Sequence, residues 1–206
     1  MKTNSQPMDA GKRRVLEAIY HKRGLLLTPL WIVMLFVFYK EYENHYLVWP
    51  LGISIIIGAG LLRMWSQAHI RNREILKTER ILTTSGPYHY VRNPLYISNI
   101  LILAGASILS ELIWFLPFVL LYSGIIYALV ARREEIRLEG EYGEAYLKYK
   151  EEVPRWIPRI STPPAPAAAS RPLFTRRVLI AEYSHFLVIV PFLIKEMVGH
   201  LLWGYG

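Results

Sequence analysis

Long apolar runs that alternate with basic segments constrain this chain more than any other feature of its sequence. Four runs contain no charged residue: Leu25–Tyr39, Tyr46–Leu62, Leu95–Leu109 and Leu112–Ala131. Because a helix needs about 20 mostly apolar residues to cross a bilayer, these runs with their flanks predict four membrane helices. The last two runs are separated by two residues only, so they must form an antiparallel hairpin. Glycines at positions 52, 58 and 60 favour close approach of a neighbouring helix.

The C-terminal segment, Val178–Trp203, is apolar but also contains Glu182, His185, Lys195 and Glu196. We interpret it as a fifth membrane helix. The alternative is a helix that lies in the membrane interface, because these charges are numerous for a spanning segment. A proline- and alanine-rich linker, residues 161–172, precedes it and has little apolar surface to bury.

The basic residues determine the expected orientation. They cluster before the first run, between the second and third runs, and after the fourth run. The positive-inside rule therefore places these three segments, including the N-terminus, in the cytoplasm. The net charge of +8 is spread between apolar runs, which indicates contact with anionic membrane lipids and not with nucleic acid. The absence of cysteine excludes disulfides, a thiol nucleophile and a cysteine-based metal site, and we predict no metal site.

Together these patterns predict an all-α, multi-pass integral membrane protein with about five transmembrane helices in a single membrane domain. Its expected parts are a basic cytoplasmic N-terminus (1–23), four transmembrane helices (24–131), a charged helical cytoplasmic segment (132–160), the linker (161–172) and the fifth membrane helix (173–206). We expect it to reside in the cytoplasmic membrane of a prokaryote.

The stretch from Gly86 to Tyr96, GPYHYVRNPLY, is the most informative loop. Pro94 suits the first turn of a helix, and Gly86 and Pro87 indicate a tight turn before it. The unpaired N–H groups of a helix N-terminus, together with the guanidinium of Arg92, would suit an anionic group. The alternative is that Arg92 and the tyrosines only mark the membrane boundary.

Two glutamates stand at the expected cytoplasmic end of the fourth span. A charge so close to hydrocarbon requires a partner or a wet cavity, so Glu134 and Glu135 either pair with neighbouring arginines or bind a ligand. Further on, Tyr142, Tyr146 and Tyr149 share one helical face, which favours packing or an interfacial belt over stacking on a ligand.

These blocks in this order, GPYxxxRxPxYxx, an apolar hairpin, RxEExxLxxxYGxxYxxY and VPRWIP, resemble the isoprenylcysteine carboxyl methyltransferase and phospholipid methyltransferase superfamily. The similarity covers roughly residues 63–158. It implies S-adenosyl-L-methionine as methyl donor, bound in a cytoplasmic site formed by the loop before the third helix and the helical extension after the fourth. It also implies a lipidic acceptor that enters from the bilayer. Two positions depart from the family pattern: Asn93 replaces the usual histidine, and Ser98 replaces a glycine.

The resemblance assigns catalytic roles to Arg92 and Glu135. It assigns cofactor binding to residues of the loop, the glutamate pair and the following helix: His69, Gly86, Pro87, Tyr88, Arg92, Asn93, Pro94, Tyr96, Glu134, Glu135 and Tyr146. For His69 the alternative is an ordinary interfacial histidine.

The acceptor stays open between a prenylcysteine-type carboxylate, which would need a cationic holder such as Arg92 or Arg155, and a phospholipid amine, which would need a base such as Glu134 or Glu135. Two other classes also remain: an NADPH-dependent sterol or steroid reductase with a similar R-x-P-x-Y turn, and a non-catalytic membrane scaffold. Protein partners and oligomeric state are not indicated.

Overall fold

The computed structural model describes residues 9–38, 45–75, 82–159 and 174–203. All regular structure in these ranges is helical, which agrees with the all-α prediction. The helices are α1 (Ala10–Phe36), α2 (His45–Ile75), α3 (Pro87–Tyr90), α4 (Pro94–Leu109), α5 (Leu116–Tyr142), α6 (Glu144–Glu152), α7 (Arg176–Tyr183) and α8 (Ile189–Trp203), with a 3₁₀ turn at Ile113–Phe115 before α5.

Two helical stretches in the described part of the chain are long and apolar enough to cross a membrane, Tyr46–Ile70 and Ile113–Tyr142. The apolar helix α4 between them is shorter. Helix α1 begins at Ala10, well before the predicted start at Leu25, because Asp9 accepts a hydrogen bond from the backbone N–H of Gly11 and starts the helix within the basic segment. The structure supports a helical membrane protein, and five spans remain a prediction.

Helices α2 and α4 pack closely through glycine. A Cβ atom built on Gly52 would lie 2.6 Å from the side chain of Leu109, and one built on Gly105 would lie 2.7 Å from Ile56. Gly60 also has a close neighbour, the ring of Phe186, but this residue lies in the turns between α7 and α8 and not in a helix. The prediction is wrong at Gly58, where no described residue lies within 4 Å. This packing fixes α4, and hence the loop at its start, against α2.

The charged extension of α5 continues the helix without a break from the apolar run to Tyr142. Gly143, with a φ of 54°, ends α5 and starts α6. The predicted single tyrosine face is therefore divided, with Tyr142 at the end of α5 and Tyr146 and Tyr149 on α6. The chain then returns to the loop before α4, where the Arg92 N–H donates to the carbonyl of Pro154 at 2.9 Å.

The C-terminal segment is not the single helix that we predicted. Successive i to i+3 hydrogen bonds, such as that from the His185 N–H to the Glu182 carbonyl, tighten residues 184–188 into turns between α7 and α8. In the second half of α2, Arg63 forms an ion pair with Glu182 at 2.6 Å and also hydrogen-bonds Asn99. In α8, Lys195 donates to the carbonyl of Ser110 at 3.1 Å. The predicted linker, residues 161–172, lies outside the described residues.

Candidate functional site

A cavity lies where the start of α4 meets the charged end of α5 and helix α6. It contains about 790 Å³ of space free of protein atoms, including its open mouth. Its wall combines apolar, aromatic and charged side chains: Ile70, Leu82, Thr83, Tyr88, Arg92, Asn93, Pro94, Leu95, Tyr96, Glu134, Glu135, Arg137, Leu138, Tyr146 and Tyr149.

The turn at Gly86 shapes the loop above the cavity. Gly86 has a φ of 62° and a ψ of −133°, a conformation that essentially only glycine adopts. A Cβ atom there would also lie 2.4 Å from the buried imidazole ring of His69. His69 Nδ1 in turn hydrogen-bonds the carbonyl of Trp65 at 2.9 Å. His69 therefore packs behind the glycine turn, which explains why the sequence requires a glycine at this position.

Helix α4 begins where the sequence predicts, with Pro94 in its first turn and Asn93 as the preceding cap residue. Asn93 does not cap the helix through its side chain. Its amide nitrogen instead donates to the carbonyl of Arg155 at 3.2 Å. Asn93 thus ties the start of α4 to the backbone of Arg155, at the position where the resemblance predicts a histidine. The N-terminus of α4 lies at the cavity without a side-chain cap.

Arg92 lies next to this N-terminus, and its side chain is only 11% exposed. Its Nη1 lies 3.4 Å from Oε1 of Glu135, and its side chain also hydrogen-bonds Tyr146. Within the described residues, however, Nε and Nη1 have no partner with hydrogen-bond geometry, because the contact with Glu135 is close but poorly aligned. Buried donors without partners are costly, so this arrangement favours an additional acceptor at the cavity.

Glu135 lies between two arginines. Its Oε1 is 3.0 Å from Nε of Arg155 and 3.4 Å from Arg92. The sequence indicated Arg155 only as a possible cation to hold a carboxylate acceptor, and it did not predict the contact with Glu135. The missed signal was Pro154, which ends the charged helical segment and turns the chain back toward the loop before α4.

Glu134 pairs with neighbouring arginines, which was the alternative to ligand binding in the sequence analysis. It forms ion pairs with Arg137 and, at 3.4 Å, with Arg133. Arg137 is in turn 2.7 Å from Glu141, as the i,i+4 spacing predicted. Glu134 still lines the cavity, but it would have to share these arginines with any ligand.

Three tyrosines form the aromatic side of the cavity near α6. The hydroxyl of Tyr149 donates to the carbonyl of Tyr88 at 2.7 Å, while the buried hydroxyl of Tyr88 lacks a hydrogen-bond partner in the described structure. Burial raises the pKa of the Tyr146 phenol to about 12, with a further contribution from Glu135. Burial likewise raises the pKa of Tyr88 well above its ordinary value. These phenols stay neutral at physiological pH.

The structure thus brings together most of the predicted site residues. The cavity wall contains eight of them: Tyr88, Arg92, Asn93, Pro94, Tyr96, Glu134, Glu135 and Tyr146. Three others, His69, Gly86 and Pro87, do not line this cavity and belong to the turn behind it. Ligand binding by any of the eleven remains a prediction.

Fold and site together define a helical membrane protein with a charged pocket at the end of its apolar helices. Residues 48–145, nearly half of the chain, match the family model described as phospholipid methyltransferase. This match confirms the predicted resemblance over these residues.

Two curated relatives carry names that refer to metal resistance. The chain is 31% identical over 111 residues to the cobalt-zinc-cadmium resistance protein CzcN of Cupriavidus metallidurans, which covers 54% of this chain and 48% of the relative. It is 25% identical over 146 residues to the nickel-cobalt-cadmium resistance protein NccN of Alcaligenes xylosoxydans xylosoxydans, covering 68% and 66%. The chain therefore spans about half of the first relative and just under two thirds of the second. No solved structure matches it.

Proposed function

We propose that this protein is an S-adenosyl-L-methionine-dependent methyltransferase that acts on a lipidic acceptor at the cytoplasmic side of the membrane. The carrying observation is that one cavity wall holds buried donors of Arg92 that lack hydrogen-bond partners among the described residues, the start of α4 and two carboxylates. The donor is a zwitterion with a carboxylate, an ammonium group and ribose hydroxyls, and this wall offers complementary groups for each. The family match over residues 48–145 supports the same class.

In this proposal each part of the wall has a binding role. Arg92 and the positive end of the α4 dipole hold the carboxylate of the donor, because a cation and a helix N-terminus both favour negative charge. Glu135, with Glu134 beside it, accepts hydrogen bonds from the ammonium group or the ribose hydroxyls. Tyr96 and Tyr146 supply flat apolar surface. The bound donor would supply an activated methyl group on its sulfonium.

The protein's contribution to transfer is then positioning and the exclusion of water, since a direct displacement needs no covalent intermediate. A carboxylate acceptor attacks in its ionised form and needs a cation to hold it. An amine acceptor must first release a proton, and either glutamate would have to give up an arginine contact to receive it. The acceptor is therefore either a lipid carboxylate or a lipid amine. In both cases the lipid reaches the cavity laterally from the bilayer.

The proposal is tested by isothermal titration of the detergent-purified protein with S-adenosylhomocysteine, using NADPH as the control ligand. The expected result is saturable binding of S-adenosylhomocysteine that is weakened by Glu135→Gln and unaffected by Glu151→Gln, an exposed carboxylate of α6. Binding of NADPH alone would identify a reductase. A folded protein that binds neither ligand would support a non-catalytic scaffold.

A further inference from the structure

Arg155 contacts the site from outside the cavity wall. Its Nε lies 3.0 Å from Oε1 of Glu135, and its Nη2 donates to the carbonyl of Ala128 at 3.2 Å. Ala128 and Glu135 are both on α5, so the guanidinium is anchored to the helix that carries the glutamate. Its side chain is 30% exposed, compared with 13% for Glu135.

The backbone around Arg155 is fixed against the start of α4. Asn93 donates to the carbonyl of Arg155 at 3.2 Å, and the Arg92 N–H donates to the carbonyl of Pro154 at 2.9 Å. Four residues later, the Arg159 N–H donates to the carbonyl of Tyr90 at 3.0 Å. Residues 154–159 thus form a strap across the loop, and the position of Arg155 does not depend on its contact with Glu135.

Both arginines contact the same oxygen of Glu135, and the contact with Arg155 is the shorter one. A carboxylate that had Arg92 alone would attract that guanidinium more strongly and turn its donors away from the cavity. With Arg155 sharing the charge, Nε and Nη1 of Arg92 remain outside aligned hydrogen bonds within the described structure. The contact between Arg155 Nε and Glu135 Oε1 is likewise an ion pair without hydrogen-bond geometry, so Arg155 acts on Glu135 through its charge.

We propose that Arg155 is a positioning residue: it holds and partly neutralises Glu135, so that Arg92 stays available to an anionic group of the ligand. This proposal rests on the proposed function, in which that anionic group is the carboxylate of the methyl donor. Arg155 itself acts through Glu135 and does not contact the ligand.

A purely structural role of Arg155 and a positioning role predict different effects of its removal on ligand binding. Loss of a structural strap would weaken binding whatever residue stands at position 135. Loss of a positioning residue matters only while a carboxylate is present to compete for Arg92, because a neutral glutamine cannot draw the guanidinium away. The test is therefore the coupling between the two positions.

The experiment is a double-mutant cycle in which the Kd for S-adenosylhomocysteine is measured by calorimetry in wild type, Arg155→Ala, Glu135→Gln and the double variant. We expect Arg155→Ala to weaken binding about tenfold in the wild-type background, or about 1.4 kcal/mol, and less than about twofold in the Glu135→Gln background, a coupling of the size expected for contacting residues. Arg155→Lys should restore part of the affinity, because an ammonium group reaches Glu135 but cannot also serve Ala128. Arg159→Ala, on the same strap, is the matched control and should bind as wild type.

Equal losses on removing Arg155 in both backgrounds would overturn the positioning role, and so would unchanged affinity of Arg155→Ala. If Glu135→Gln binds too weakly to titrate, the same four proteins are compared by the rise in melting temperature at a high concentration of S-adenosylhomocysteine, which reports weak binding while position 135 stays neutral. A wild-type protein that does not bind S-adenosylhomocysteine would overturn the proposed function, whereas failure of the cycle in a protein that binds overturns only the role of Arg155.

Discussion

Replacing Arg92 with alanine should weaken ligand binding strongly without unfolding the protein. The side chain is 11% exposed and presents donors that lack aligned partners. A hydrogen bond to a charged group contributes about 1.5–3 kcal/mol, so the Kd for S-adenosylhomocysteine should rise by about 10- to 150-fold, at about 1.4 kcal/mol per tenfold change.

The fold should tolerate the change because Glu135 keeps a second cation. Arg155 remains 3.0 Å from its carboxylate, so the variant avoids the loss of about 3–5 kcal/mol that follows when a buried charge is left alone. The free energy of unfolding should therefore change by less than about 1 kcal/mol, since a net hydrogen bond is of that size.

The assay pairs calorimetric titration with thermal unfolding of the same detergent-purified samples. Arg14→Ala, an exposed arginine of α1, is the matched control and should leave both measurements unchanged. Arg92→Lys should recover only part of the affinity, because lysine lacks the planar fork of donors. Wild-type affinity in Arg92→Ala would refute the proposed role, and a binding loss that accompanies a collapse in melting temperature would refute the claim that Arg92 serves the ligand and not the fold.

Three further predictions concern the structure around the site. Gly86→Ala should destabilise the protein by clearly more than Gly143→Ala, because both glycines have positive φ but only Gly86 has an imidazole ring 2.4 Å from the added Cβ atom. The Gly143 change should cost about 1–3 kcal/mol, the range for a residue held in a sparsely populated backbone conformation. Equal melting temperatures of the two variants would contradict the packing described. Arg63→Ala should lower the free energy of unfolding by about 3–5 kcal/mol, because it leaves the buried carboxylate of Glu182 without its ion pair to Arg63. Changing both residues to alanine should cost less than the sum of the two single changes. Additive losses would show that the two residues are not coupled. The folded-state pKa of Tyr146 is raised from 10.0 to about 12, so the stability contributed by its protonated form is complete below pH 10 and is lost as the pH rises to 12. The melting temperature of Tyr146→Phe should therefore fall less steeply than that of the wild type across this interval. Parallel curves of melting temperature against pH for the two proteins would exclude the raised pKa.

Local rules predicted the parts of the fold that depend on neighbouring residues. The start of α4 at Pro94 follows from the fixed φ of proline, and the continuous α5 follows from apolar and then charged residues with helical spacing. The ion pair between Arg137 and Glu141 likewise needs only i,i+4 spacing. These features depend on contacts within one helix, which a single sequence specifies well.

Features that depend on contacts between distant segments could not be predicted in the same way. The contact between Arg155 and Glu135 joins residues twenty positions apart through a strap that the sequence shows only as prolines. Nor does the sequence reveal that His69 would pack behind Gly86 and not line the cavity. The break between α7 and α8 is different, because Pro191 in the first turn of α8 is a local signal for a helix start that the single-helix prediction did not use.

The central claim is methyl transfer from S-adenosylmethionine to a membrane lipid, and the most direct measurement is radioactivity transferred from methyl-labelled donor to extracted lipid. Purified protein would be reconstituted into vesicles that contain total bacterial lipids, and the organic extract would be counted and separated by chromatography. The account predicts a labelled lipid with the wild-type protein and at least about tenfold less label with Arg92→Ala, the size expected for one charged hydrogen bond. No labelled lipid from a folded protein that binds S-adenosylhomocysteine would contradict the lipidic acceptor, and equal labelling by the wild-type and Arg92→Ala proteins would contradict the site.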